Sequence, residues 1–112
     1  MIRILVAVPL DSKAIDLLNE IPEFEINEKT GLTPGRFLDE IRNADALVCG
    51  GSPRVTGKVL DAGSDLKLII HSGQDSANME EARRRHIEVR RITAGRAAGD
   101  EAIAVLKDFF NA

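Results

Sequence analysis

The stretch Asp45–Gly73, DALVCGGSPRVTGKVLDAGSDLKLIIHSG, decides the fold of this 112-residue chain. Ala46, Leu47, Val48 and Cys49 form a short continuous apolar run, and Leu66, Leu68, Ile69 and Ile70 form a second. Runs that are apolar without alternation mark strands buried on both faces. Between them, Val55 to Ala62 has the charge and apolar spacing of a one-to-two-turn helix. A strand, a crossover helix and a strand make a parallel unit, and ligands of parallel sheets sit at the carboxyl ends of the strands. Both runs end in Gly-containing turns, Gly50-Gly51 and Ser72-Gly73, so two turns should meet at one edge.

Outward from this unit the same alternation continues, which is the pattern of an α/β fold. Ile2 to Val8 reads as a first strand broken at Pro9, and Asp11 or Ser12 can cap a helix to about Glu20 with Ile15, Leu17 and Leu18 inward. Phe24 to Ile26, among Glu23, Glu25 and Glu28, reads as a charged edge strand. Thr33-Pro34 has the form of an N-cap followed by Pro at the first helical position, opening a helix through Phe37, Leu38 and Ile41. Met79 to Arg85 is predicted helical, Ile87 to Val89 a fifth strand, and Asp100 to Phe110 a last helix with Ala102, Ile103, Leu106, Phe109 and Phe110 on one face. Five strands in βαβαβαβαβα order favour a flavodoxin-like three-layer sandwich around a five-stranded parallel sheet.

Composition narrows the function. At this length a single domain over residues 1–112 is expected, burying roughly two-thirds of the unfolded chain's surface. A net charge of -3 offers no basic footprint for nucleic acid and no attraction to anionic membranes. The single cysteine excludes an intrachain disulfide, and the absence of a cationic leader or long apolar run makes a cytoplasmic protein the expectation.

Asp45 through Gly73 is similar, without a gap, to the pattern D-A-L-I-V-R-S-x-T-K-V-T-x-x-V-L-x-x-x-x-x-L-K-x-I-x-R-x-G-x-G. That pattern marks the substrate-binding domain of the D-isomer-specific 2-hydroxyacid dehydrogenases, closest to their D-3-phosphoglycerate dehydrogenase branch. The likeness extends back through IRILVAVPLDSKAIDLL and TGLTPGRFLDEI and fades after Asn78. It implies strand order 2-1-3-4-5. It also implies a ligand site at the two turns, where the family's arginine and backbone N–H groups help to hold a substrate carboxylate or phosphate. Here Gly50 stands at the arginine's position, His71 replaces the basic residue before Gly73, and Asp75 stands where a second glycine would be. Asn78 matches the asparagine of the family's D-N-I-D. The substrate-binding residues carried over are Gly50, Gly51, Ser52, Arg54, His71, Ser72, Gly73 and Gln74.

Each candidate has a plainer reading. Gly50 to Arg54 can hold an anion through free N–H groups, the following helix and Arg54, or can be a tight turn with Arg54 solvated. It is no P-loop: Gly51 to Gly57 encloses five residues instead of four, and Val59 follows Lys58 where Ser or Thr should hold magnesium. His71 is the histidine best placed for acid–base work, and His86 falls at the opposite edge, so the two cannot act together. No His/Cys set suggests a metal. Cys49 reads as a small core residue rather than a nucleophile. Arg83-Arg84-Arg85-His86 with Arg90 and Arg91 is interleaved with Glu80, Glu81 and Glu88 and reads as a solvated face. The turns after the first and third strands lack the acidic residues of response-regulator receivers, and with no Trp or Tyr the chain is poorly equipped to stack a flavin.

The family's second domain carries the nicotinamide fingerprint G-x-G-x-x-G and the catalytic arginine, glutamate and histidine; no G-x-G-x-x-G occurs in these residues. Hydride transfer needs a bound nicotinamide and a positioned base. Three expectations follow. The first is a stand-alone, noncatalytic relative of the substrate domain that takes a small carboxylate or phosphate and binds no cofactor by itself, NAD being the family's cofactor through the other domain. The second is an interaction module that homodimerises or docks on a partner protein through the final helix, motivated by Phe109 and Phe110. The third is one half of a split NAD-dependent dehydrogenase.

Overall fold

Capping chemistry sets the starts of the first three helices. Asp11 accepts from the Lys13 N–H and Thr33 from the Arg36 N–H, with Pro34 in the first helical turn. Thr56 accepts from the Val59 N–H. Side-chain oxygens at these positions satisfy N–H groups that the first turn leaves open. In the computed structural model, which describes residues 1–73, 77–95 and 97–112, the elements alternate strictly. They are β1 (Ile2–Val6), α1 (Ser12–Asn19), β2 (Phe24–Glu28), α2 (Pro34–Ile41), β3 (Ala46–Cys49), α3 (Gly57–Ala62), β4 (Leu68–His71), α4 (Ala77–Arg84), β5 (Glu88–Arg91) and α5 (Ala98–Phe110). All strand pairings are parallel and the sheet order is β2-β1-β3-β4-β5, as the resemblance implies.

The register stacks Ile4, Ala46 and Leu68 in one row, Leu5, Leu47 and Ile69 in the next, and Val6, Val48 and Ile70 in the third. Successive side chains of a strand point to opposite faces, so alternate rows enter different cores. The Leu5 row packs with Phe37, Ile41, Val59, Leu60, Met79 and Ala82, the inner faces of α2, α3 and α4. The outer two rows pack with Leu18, Ala98, Ala102 and Leu106 of α1 and α5. Continuous apolar runs are thus required by a sheet covered on both sides.

Several boundaries differ from expectation. β1 ends at Val6, although the Ala7 N–H still reaches the Val48 carbonyl at 2.8 Å. α3 starts at Gly57, because Thr56 caps it and Val55 is buried as a loop residue. Of the α1 residues expected inward, Leu18 is buried, Ile15 half-buried and Leu17 half exposed, at 50%. The inward stripe is Ala14–Leu18, one turn apart, which puts Leu17 about 100° around the helix from Leu18. That stripe meets α5 closely: a Cβ added to Gly99 would lie 2.6 Å from the Ala14 Cβ.

At the amino ends of the strands, Asp45 joins three of them. Its N–H donates to the Arg3 carbonyl at 2.7 Å, and its own carbonyl accepts from the Lys67 N–H at 2.8 Å. Its carboxylate accepts from the Arg3 N–H at 2.8 Å and the Lys67 ammonium at 2.9 Å. Burial alone would raise this carboxyl's pKa, but the Arg3 N–H and the Lys67 ammonium together outweigh it and hold the group below its ordinary 3.8.

Two stability predictions follow from these contacts. Asp45→Ala should cost about 2 kcal/mol at pH 7 in urea unfolding, since two charge-assisted bonds are lost. A carboxyl whose pKa is lowered on folding contributes fully above its unfolded value and progressively less as pH falls through the folded one. The gap between wild type and variant should therefore narrow below pH 3.8. Gly99→Ala should destabilise by about 1–2 kcal/mol despite its better helix propensity, because overpacking outweighs that gain. Combining it with Ala14→Gly should cost less than the sum of the single changes.

Candidate functional site

The carboxyl ends of β1, β3 and β4 converge. A Cβ on Gly50 would lie 3.3 Å from Val8 Cγ2 and 3.5 Å from Ser72 Oγ, so the three turns are in contact and a side chain at 50 would press on Val8. The Ser72 N–H donates to the Cys49 carbonyl at 3.2 Å, and the Ile92 N–H to the His71 carbonyl at 2.9 Å. These bonds extend the parallel ladder one residue past the strands. Gly51 and Ser52 are exposed, while Gly50, Ser72 and Gly73 are half-buried. Neither Gly51 nor Gly73 has a neighbouring atom within 4 Å of an added Cβ, which leaves open space over both turns.

The residues carried over from the family pattern do not form one cluster. Gly50, Ser72 and the adjoining Gly51 and Gly73 share the edge just described. Ser52 and Arg54 line a different depression, on the side of α2 and α3. His71 is 1% exposed, and strand alternation turns it to the face of Ile69, with Cys49 as its register partner on β3. Its imidazole therefore lies under the sheet's α2–α4 layer rather than on the open edge. Gln74 and Asp75 lie outside the described residues. α3 begins three residues beyond Arg54, so the Gly50–Arg54 loop does not run straight into a helix N-terminus.

Ser72 also lines a cavity of about 440 Å³ with Arg91, Ile92, Thr93, Ala94 and Glu101. The parallel register places Arg91 opposite His71, immediately beside Ser72. Glu101 is occupied by the Thr93 N–H at 3.0 Å and the Thr93 hydroxyl at 3.2 Å. Arg91 is exposed and has no ion-pair partner among the described residues. In the sequence it belongs to a basic run; only the strand register sets it next to the end of β4.

The other candidates fall elsewhere. Cys49 is fully buried, and burial pushes its thiol up to about 12. His86 is exposed in the turn before β5, with a positive φ of 65°. Among the described residues no group of three His, Cys, Asp or Glu side chains could hold a metal ion. Arg85 bridges Asp61 at 2.7 Å and Glu81 at 3.0 Å, Arg84 reaches Glu81 and Arg90 reaches Glu88, so much of the basic run is neutralised locally. Phe109 and Phe110 are half-buried, edge to face with each other at 4.9 Å, and Phe110 meets Phe24 at 6.1 Å. No helix among the described residues is long and apolar enough to cross a membrane.

A doubly wound parallel sheet with open turns at the carboxyl ends of its central strands defines a flavodoxin-like α/β domain. Residues 4–104 match the family described as D-isomer specific 2-hydroxyacid dehydrogenase, catalytic domain, and the chain belongs to that family. It is 31% identical over 110 residues to D-3-phosphoglycerate dehydrogenase of Synechocystis, covering 95% of this chain and 20% of that protein. With D-3-phosphoglycerate dehydrogenase of Methanocaldococcus jannaschii it shares 38% over 80 residues, 71% of this chain and 15% of that one. The NAD+-bound crystal structure of 3-phosphoglycerate dehydrogenase from Entamoeba histolytica superimposes with a TM-score of 0.67 at 21% identity, over 80% of this chain and 32% of that one. The chain thus spans about a fifth or less of the length of these two curated relatives.

The turn after β1 does not suit the family's nucleotide. The turn after β1, Val8-Pro9-Leu10-Asp11, has no glycine for close approach of a pyrophosphate, and the Asp11 carboxylate already takes the Lys13 N–H at the start of α1.

Native Cys49 should resist a thiol-specific disulfide reagent at pH 8, because the reactive thiolate is scarce and the sulfur enclosed. Labelling should proceed rapidly in denaturant. Fast labelling of the folded chain would show that the end of β3 opens.

Proposed function

We propose that this chain is a substrate-domain unit that holds a small carboxylate or phosphate across the Gly50–Gly51 and Ser72–Gly73 turns. The observation that carries this reading is that Ser72, whose hydroxyl lies 3.5 Å from a Cβ added to Gly50, also lines a cavity with Arg91 at the carboxyl ends of β4 and β5. Ser72 offers a hydroxyl donor, and Arg91, whose place on β5 turns it to the same face as His71, would bring its side chain round the end of the strand to add a positive charge; Arg is well suited to bidentate recognition of carboxylate or phosphate. The family's arginine position is Gly50 here, so Arg91 would supply the charge from two strands away. Membership in the 2-hydroxyacid dehydrogenase family supports 2-hydroxy, 2-oxo and phosphorylated acids as the ligand class.

Chemistry on such a ligand would need a hydride carrier. These 112 residues contain no G-x-G-x-x-G, and the turn after β1 does not suit a pyrophosphate, so NAD would have to be held by a separate nucleotide-binding unit. By themselves they bind and orient, and do not transfer hydride.

A thermal-shift series with 2-hydroxy acids, 2-oxo acids and phosphorylated acids tests the reading. A ligand bound only by the folded form, at about 100 times its Kd, adds roughly 2.7 kcal/mol and raises the melting temperature. Arg91→Ala and Gly51→Glu should abolish that rise while leaving the unliganded melting temperature nearly unchanged, since both positions are exposed. No rise with any acid at millimolar concentration would overturn it.

A further inference from the structure

We infer a second ligand site, for an amphipathic anion, in the groove between α2 and the β3–α3 connection. The groove has a volume of about 770 Å³, larger than the Ser72–Arg91 cavity and within the usual range for small-molecule pockets. Its floor is Phe37, Pro53 and Val59, and Leu32 and Leu38 form half-buried apolar walls. Gly35 and Gly57 also line it, and neither has an atom within 4 Å of an added Cβ, so both leave space that a side chain would fill.

The charge at its rim identifies the occupant. Arg54 and Lys58 both line the groove and are exposed. Arg3, Arg42, Lys67, Arg84, Arg85 and Arg90 each contact a carboxylate of this chain. Arg54 and Lys58 have no such partner among the described residues. The groove-lining set contains no acidic residue. An apolar cleft edged by two unneutralised cations suits a molecule with an alkyl or aryl body and one anionic head, because burying the body and pairing the head use different parts of the same depression. A folded protein partner would cover roughly 800 Å² of surface on each side, and the apolar walls here are recessed. The site does not rest on the Ser72–Arg91 reading, since neither of those residues lines the groove.

The test is an amide chemical-shift titration of the wild-type chain with decanoate, decylamine and acetate. Decanoate should bind and move resonances of residues 32–38 and 52–59, with decylamine and acetate at least about tenfold weaker, as charge-assisted pairing and apolar burial are both required. Arg54→Glu combined with Lys58→Glu should weaken decanoate by about tenfold or more, as should Gly35→Phe by filling the cleft. Circular dichroism first establishes that each variant is folded. Equal binding of decylamine, shifts confined to Ser72 and Arg91, or unchanged decanoate affinity in folded variants would each overturn the assignment.

Discussion

The parallel register of β1, β3 and β4, held at its amino ends by Asp45, is the constraint on which the rest of the molecule depends. Asp45 bonds to Arg3 through both backbone and carboxylate and to Lys67 through both carbonyl and carboxylate. With that end aligned, Ile4, Ala46 and Leu68 fall in one row, and a few residues on, Val8, Gly50 and Ser72 must meet. Slipping one strand by one residue would turn its apolar side chains to the wrong core and misalign its turn. The meeting of these turns is therefore a consequence of an interaction at the opposite end of the sheet.

At that edge, the family framework is kept while its charge is redistributed. Glycine occupies the arginine position, and the added-Cβ contact with Val8 shows that this junction is tightly closed. Cationic groups are found on either side of it instead, Arg91 beside Ser72 and Arg54 with Lys58 along the α2–α3 groove. The two openings differ in lining: Ser72 and Arg91 are among the residues of one, and an apolar floor with Arg54 and Lys58 makes the other.

Much of the architecture was legible in local pattern. Continuous apolar runs marked the buried strands, Thr33-Pro34 and Asp11 marked helix starts, and the β-to-α alternation marked a doubly wound sheet. Boundaries moved by a residue or two where a cap or a buried loop residue, as at Thr56 and Val55, outweighed periodicity. The site was less legible. The candidate set drawn from the turns mixed residues that face three directions: Gly50 and Ser72 the edge, Arg54 the groove, His71 the interior. Arg91 looked like one member of a basic run.

By itself, then, the sequence determined element order, fold class and family, since capping and apolar periodicity act over a few residues and the family pattern is contiguous. Only the tertiary structure decided which distant residues share a cavity. Arg91 joins Ser72 because β4 and β5 pair with His71 opposite Arg91, and Leu32 joins Arg54 because α2 and the β3–α3 connection pack over one face of the sheet. Strand register and crossover packing arise from contacts between segments far apart in the chain, and those contacts leave no local signature to read.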